Sequence, residues 1–168
     1  MSAGLAYDIL PLDPRHDRSG FACGIDALDR YLRTQAGQDT RKRMTARFMA
    51  CAHGEQAIAG YYTLAATSVA LTDLPPDLIK RLPRYPAVPA TLLGRLAVDR
   101  RHRGRGLGEL MLFDAFSRAL RSEIATFALL VDAKDDAARA FYERYRFMTL
   151  TGGGRLFLPL AEIARLLA

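Results

Sequence analysis

The segment Arg103-Gly104-Arg105-Gly106-Leu107-Gly108 constrains this chain more than any other. It lies between a run of strand character ending at Val98-Asp99 and a helical run from Leu107 to Leu120, with Leu112, Phe116, Ala119 and Leu120 on one face. A strand that passes through a glycine turn into a helix is a building unit of α/β sheet proteins. Glycine lets backbone approach a ligand, and the helix it opens presents unsatisfied N–H groups at the positive end of its dipole. A diphosphate suits that geometry, although a plain cluster of loop glycines would read the same way. The Gly-Lys-Ser/Thr of a P-loop is missing, which argues against nucleotide hydrolysis. Glu109 stands where a dinucleotide fingerprint has its third glycine.

The remaining pattern extends the α/β reading. Leu5 to Leu12 reads as a first strand, ended by Pro11 and Pro14. After Gly24, Ile25, Leu28 and Leu32 recur at helical spacing up to Gly37. Arg47 to Ala52 and Gln56 to Ala66 flank His53-Gly54-Glu55 as a hairpin. Residues 67–90 hold Pro75, Pro76, Pro83, Pro86 and Pro89, which predicts a loop with a short helix around Asp77 to Arg81. Thr91 to Val98 and Ile124 to Val131 read as buried strands, and Asp135 to Tyr145 as a helix. Phe147 to Leu150 and Arg155 to Leu158 are short strands around Gly152-Gly153-Gly154, and Leu160 to Leu167 a closing helix. An antiparallel start followed by strand, helix, strand, helix predicts a mixed α/β sheet. No linker or repeat interrupts the 168 residues, so a single domain over 1–168 is expected.

Charge adds a partner class. The net charge is +6, and of 24 cations only Lys42, Lys80 and Lys134 are lysines. Guanidinium forks match phosphate oxygens, so the bias favours phosphate-bearing ligands. It is also clustered: Arg30 to Arg47 carries six cations against Asp39, and Lys80 to Arg105 eight against Asp99. A polyanion site has this footprint, as does a solvated basic face or GC-rich codon usage. Cys23 and Cys51 are too few for a disulfide scaffold and lack metal-ligand spacing, so both are expected as packed thiols. His16, His53 and His102 are scattered, and no metal is expected. Met1 to Leu5 lacks the features of a secretory signal, and no apolar run approaches the roughly 20 residues of a membrane span, so a cytoplasmic location is expected.

Arg103, Gly106 and Gly108 resemble the Arg/Gln-x-x-Gly-x-Gly/Ala signature of the GNAT family of N-acetyltransferases. Ala138-Arg139-Ala140-Phe141-Tyr142 resembles that family's second conserved stretch. Arg146 replaces the glycine usual after it, and Asp135 stands where many members have asparagine. The resemblance implies a GNAT fold: a mixed, mostly antiparallel sheet whose central strand pair splays apart, flanked by helices. It implies that acetyl-coenzyme A is the co-substrate. Its diphosphate would lie on Arg103, Gly104, Arg105, Gly106, Leu107 and Gly108, its pantetheine and thioester along Leu96 and Val98, with Asp135 as a further contact.

A narrower likeness covers nearly the whole chain. Phe21-Ala22-Cys23-Gly24, Leu28-Asp29-Arg30-Tyr31-Leu32, Gly60-Tyr61-Tyr62-Thr63-Leu64, Leu82-Pro83-Arg84-Tyr85-Pro86 and Leu93-Gly94-Arg95-Leu96-Ala97-Val98-Asp99 resemble the acetyltransferase toxins of bacterial toxin–antitoxin modules. That likeness implies acetylation of the α-amine of aminoacyl-tRNA, which inhibits translation, a ribbon-helix-helix antitoxin as partner, and a homodimer. Two other readings stay open: an acetyltransferase of small amines or protein N-termini, and a non-enzymatic coenzyme-binding or co-repressor module.

The chemistry needs few groups. An α-amine has a reference pKa of about 7.7–8.0 and is partly neutral at cellular pH, so a strong base is dispensable. The departing thiol, with a pKa of about 8.5, takes a proton from a phenol of about 10. Tyr142 is the expected general acid, its alternative role being an aromatic that packs its helix on the sheet. A main-chain amide between Arg95 and Val98 is the expected oxyanion donor. Arg41, Lys42, Arg43, Arg84 and Arg95 are candidates for gripping the tRNA acceptor stem, with Tyr85 stacking on an unpaired terminal base.

Overall fold

The structure is a computed structural model that describes residues 7–151 and 153–168. Tyr7–Pro11 forms β1. Leu5 and Ala6 of the expected first strand, Met1 to Gly4, and Gly152 of the glycine triplet lie outside the described residues. Asp26–Arg30 (α1), a π-helical turn Tyr31–Gln35 and Ala36–Arg41 (α2) follow, so the expected helix is present but interrupted. Ala46–Ala52 (β2) and Ile58–Ala70 (β3) pair antiparallel as the expected hairpin, with Gly54 at φ 83° in the connection. Next come Pro76–Ile79 (α3), Ala87–Val98 (β4), Leu107–Arg121 (α4), Ala128–Asp132 (β5), Asp136–Glu143 (α5), Met148–Thr149 (β6), Arg155–Pro159 (β7) and Leu160–Leu167 (α6). The strand order is β1-β2-β3-β4-β5-β7-β6. Pairing is mostly antiparallel, with β4 and β5 parallel.

The residues gather into two compact units, Met1–Ala65 with Gly94–Ala115 and Ala66–Leu93 with Phe116–Ala168. In the first, β1 pairs with β2, and Leu28, Tyr31, Leu32 and Ala36 bury one face of the α1–α2 stretch against Phe21, Met49, Ile58, Tyr61 and Ala97. Cys23 and Cys51 are both buried there, as packed thiols, and burial pushes the Cys51 thiol up to about 11. Gly60 is required by close approach. A Cβ there would lie 3.0 Å from the Ala97 carbonyl oxygen and 2.9 Å from Met111 Cε.

The second unit corrects the reading of the proline-rich segment. β3 runs on to Ala70 and β4 starts at Ala87, so residues 67–90 are not all loop. Pro89 is tolerated because it stands just before the first parallel pair, Ala90 with Ala128, where its carbonyl accepts from Phe127 N–H at 2.8 Å. The expected start of β5 at Ile124 is also corrected: Ile124 is 78% exposed and the strand begins at Ala128. Leu120, expected on the buried face of α4, is partly exposed, whereas Phe116 and Ala119 are buried. Val69, Leu74, Val88, Ala90, Leu130 and Phe157 are central to the core of this unit.

Candidate active site

Asp99 fixes the approach to the glycine turn. Its side chain is buried and accepts from Ala22 N–H at 3.1 Å, Arg101 N–H at 2.9 Å and the Arg101 guanidinium at 3.0 and 3.3 Å. Its own N–H donates to Ala59 O at 2.8 Å, and Arg100 N–H donates to Ala22 O at 2.9 Å. Burial alone would push this carboxyl up; the donors from Arg101 and Ala22 outweigh it and hold Asp99 below its usual range. The residue is therefore an ionised peg between β4, the 3₁₀ turn Arg100–His102 and the Phe21–Cys23 segment.

Beyond this peg the backbone opens. Gly104 and Gly106 sit at φ 74° and 76°, and a Cβ on either would meet no atom within 4 Å. Leu107 is buried and anchors the start of α4, while Leu110 N–H reaches back to Gly106 O at 3.0 Å. The first-turn N–H groups at Leu107 and Gly108 therefore precede the helix's own ladder. Open glycine backbone, a helix N-terminus and the exposed Arg105 together fit a diphosphate. Arg103 is different: its guanidinium donates to Cys23 O at 2.5 Å, which turns the side chain toward the Phe21–Gly24 segment. Leu96 and Val98 are half-buried on β4 on either side of buried Ala97.

Tyr142 lies in the second unit, on α5, and is buried. Burial, and then the charge of Asp132, push its phenol well above the usual tyrosine value. The ring meets Phe141 and Phe147 edge-on, with centroids 5.1 and 5.3 Å away. Asp135 is the N-cap of α5, accepting from Ala138 N–H at 2.7 Å. Burial therefore keeps the Tyr142 phenol in its protonated form, the form a proton donor needs.

The basic candidates divide between the units. Arg41 ends α2, and Lys42 and Arg43 follow it, all exposed, with Arg43 at φ 57°. Arg41 and Arg18 both reach over Gly37, with guanidinium nitrogens 3.5 and 3.6 Å from where its Cβ would be. Arg84 and Tyr85 are exposed in the second unit, Tyr85 by 64%. Arg95 is half-buried in the first, its guanidinium carbon 3.5 Å from the Tyr31 ring centre. Sequence spacing assigns no individual role to Arg18, Tyr31 or Asp99. The signal for Asp99 was present, since it is the one acid among the eight cations of its window. Among the described residues no group of three or more His, Cys, Asp or Glu side chains could hold a metal.

Residues 16–147 match the model of the acetyltransferase (GNAT) family. A tRNA-acetylating toxin of Mycobacterium tuberculosis is 40% identical over 133 residues, which span 78% of each chain. The solved structure of AtaT complexed with acetyl-methionyl-tRNAfMet superposes with a TM-score of 0.87 at 30% identity, covering 96% of this chain and 99% of that one. A tyrosine-to-phenylalanine mutant of AtaT, bound to the C-terminus of the antitoxin AtaR and acetyl-CoA, gives a TM-score of 0.80 at 27% identity, covering 97% and 99%.

Proposed function

The chain belongs to the GNAT family of acetyltransferases, and from that premise we propose that it moves acetyl from acetyl-coenzyme A to the α-amine of aminoacyl-tRNA. The observation that carries this reading is the open turn at Gly104 and Gly106 ahead of α4, in a chain 40% identical to a tRNA-acetylating toxin. In this reading 1–168 is one catalytic domain. The amides of the turn hold the coenzyme's diphosphate, and Leu96 and Val98 line its pantetheine. Arg103 and Asp135 act at one remove, the first by anchoring the turn to Cys23, the second by capping the helix that bears Tyr142.

The neutral α-amine forms the new C–N bond at the thioester carbon, and a β4 amide between Arg95 and Val98 meets the developing oxyanion. Collapse breaks the C–S bond. Tyr142 supplies the proton to the thiolate, and the ammonium formed by attack loses its own proton to water, from which the phenolate is reprotonated. Because an α-amine with a pKa of about 7.7–8.0 is partly neutral at cellular pH, no histidine base is needed.

Arg41, Lys42, Arg43, Arg84 and Arg95 offer phosphate contacts, and the exposed Tyr85 a surface for an unpaired base. Acetylation of the α-amine removes the nucleophile of peptide elongation, so the chain is the cytoplasmic toxin of a toxin–antitoxin pair. AtaT's complex with AtaR supports an antitoxin partner; in this reading that partner is of ribbon-helix-helix type and the toxin a homodimer. Mass spectrometry of charged tRNA after incubation with labelled acetyl-coenzyme A tests the reaction. N-acetyl-aminoacyl-tRNA is expected; label on small amines or protein N-termini but never on charged tRNA would overturn it.

A further inference from the structure

One cavity of the first unit reaches beyond the chemical steps described, sharing with them only Arg95. It measures about 430 Å³, inside the roughly 300–1,000 Å³ range of small-ligand pockets. Arg30, Tyr31, Thr34 and Gln35 of the helical stretch and Arg95 of β4 wall it. The π turn is where the helix changes phase, Ala36 N–H reaching Tyr31 O, and such turns recur at functional sites.

Its aromatic wall is already committed. Tyr61 donates its hydroxyl to Leu28 O at 2.7 Å and stacks on Tyr31, with centroids 6.3 Å apart and planes 15° apart. Arg95 covers Tyr31 with its guanidinium carbon 3.5 Å from the ring centre. Tyr31, only 5% exposed, therefore has no face left for a ligand. Arg95, a half-buried residue that lines the cavity, is the outer layer of the stack, and the guanidinium face turned from Tyr31 is the one left for a ligand. A pre-oriented guanidinium plane is a stacking surface for an unpaired base.

The other groups fit a nucleotide. Among the described residues no carboxylate lines the cavity, and Arg30 and Arg95 give it a positive field. Thr34 spends its hydroxyl proton on Arg30 O at 2.7 Å, leaving its oxygen as acceptor, while the Gln35 amide offers both donors and an acceptor to a base edge.

We infer that this cavity seats the unpaired terminal nucleotide of the acceptor RNA, its base on the outer face of Arg95, its edge read by Gln35 and its phosphate met by Arg30. The inference rests on the aminoacyl-tRNA reading and revises it in one place, moving the terminal base from Tyr85 to Arg95 and giving Arg95 a base rather than a phosphate to meet.

Arg95→Lys keeps the charge and removes the plane. KM is compared for one amino acid esterified to a CCA trinucleotide and for the methyl ester of the same amino acid. The substitution is expected to raise KM for the trinucleotide ester about 10-fold more than for the methyl ester, and Gln35→Ala in the same direction by less. An equal rise on both esters would place the aminoacyl group in the cavity and overturn the inference. A trinucleotide KM that moves with Tyr85→Ala and not with Arg95→Lys would overturn it too. Fluorescence titration with uncharged CCA trinucleotide separates this inference from the function it rests on. Binding about 10-fold weaker in Arg95→Lys supports the seat even if no charged tRNA is acetylated, and equal binding refutes it.

Discussion

Phe147 lies edge-on against Tyr142, ring centroids 5.3 Å apart and planes at 60°, and the main chain between them closes a Schellman-type helix end. Phe147 N–H reaches Tyr142 O at 3.4 Å and Arg146 N–H reaches Glu143 O at 3.1 Å. The residue that makes this closure possible is Arg146, at φ 72°. The contact between the two rings thus depends on a left-handed turn made by a residue with a Cβ.

Replacing Arg146 by glycine should relieve that strain. The gain is expected at about 0.5–1 kcal/mol, since part of the roughly 1–2 kcal/mol left-handed cost is offset by glycine's extra freedom when unfolded. Differential scanning calorimetry should show Tm rising by about 1–4 °C. A fall in Tm would mean that the Arg146 side chain contributes more than its backbone costs.

Tyr142→Phe keeps the ring contacts and removes the proton. Turnover should drop about 100-fold or more, with acetyl-coenzyme A affinity within about two-fold of the parent. Because burial raises the phenol above its usual value of about 10, the parent's rate should climb as the amine deprotonates and show no alkaline decline up to about pH 10. A decline near pH 8–9 would assign the acid to another group.

Asp99→Asn tests the peg. The neutral amide loses the charge-assisted bonds to Arg101 and Ala22, at a cost of about 2 kcal/mol, discounted because Arg101 itself is largely exposed. The sign with pH follows from a folded pKa below the unfolded value of about 3.9. The contribution is complete above that value and is lost as pH falls through it toward the folded pKa. Urea melts of parent and variant should therefore differ at pH 7 and converge on acidification below about pH 4. A constant difference across that window would contradict the role given to Asp99.

Reversing Arg41, Lys42 and Arg43 to Glu should raise KM for charged tRNA by about 10-fold or more and flatten its salt dependence. KM for an aminoacyl methyl ester should move far less. Equal loss on both acceptors would make these cations structural.

Much of this architecture is legible in the sequence because it rests on local signals. The glycine turn between strand and helix, the β2–β3 hairpin around Gly54 and α6 over Leu160–Leu167 each follow from spacing and turn chemistry within a few residues. What escapes depends on partners far along the chain. Pro89 enters a strand because its place beside Phe127, one residue before the Ala90–Ala128 pair, needs only its carbonyl. The π turn has no local signature, and it sets the phase that brings Tyr31 under Arg95. Arg103, legible as part of a phosphate motif, has its side chain on the carbonyl of Cys23, a partner 80 residues away.

Isothermal titration of acetyl-coenzyme A into the parent and into Gly106→Val tests most directly whether the turn that precedes α4 holds the coenzyme. A valine at φ 76° is strained and places a branched side chain where the diphosphate would lie. Saturable binding by the parent, weakened about 10-fold or more in the variant while its circular dichroism stays native, is the expected result. Equal affinity in the two proteins, or no binding by the parent, would contradict it.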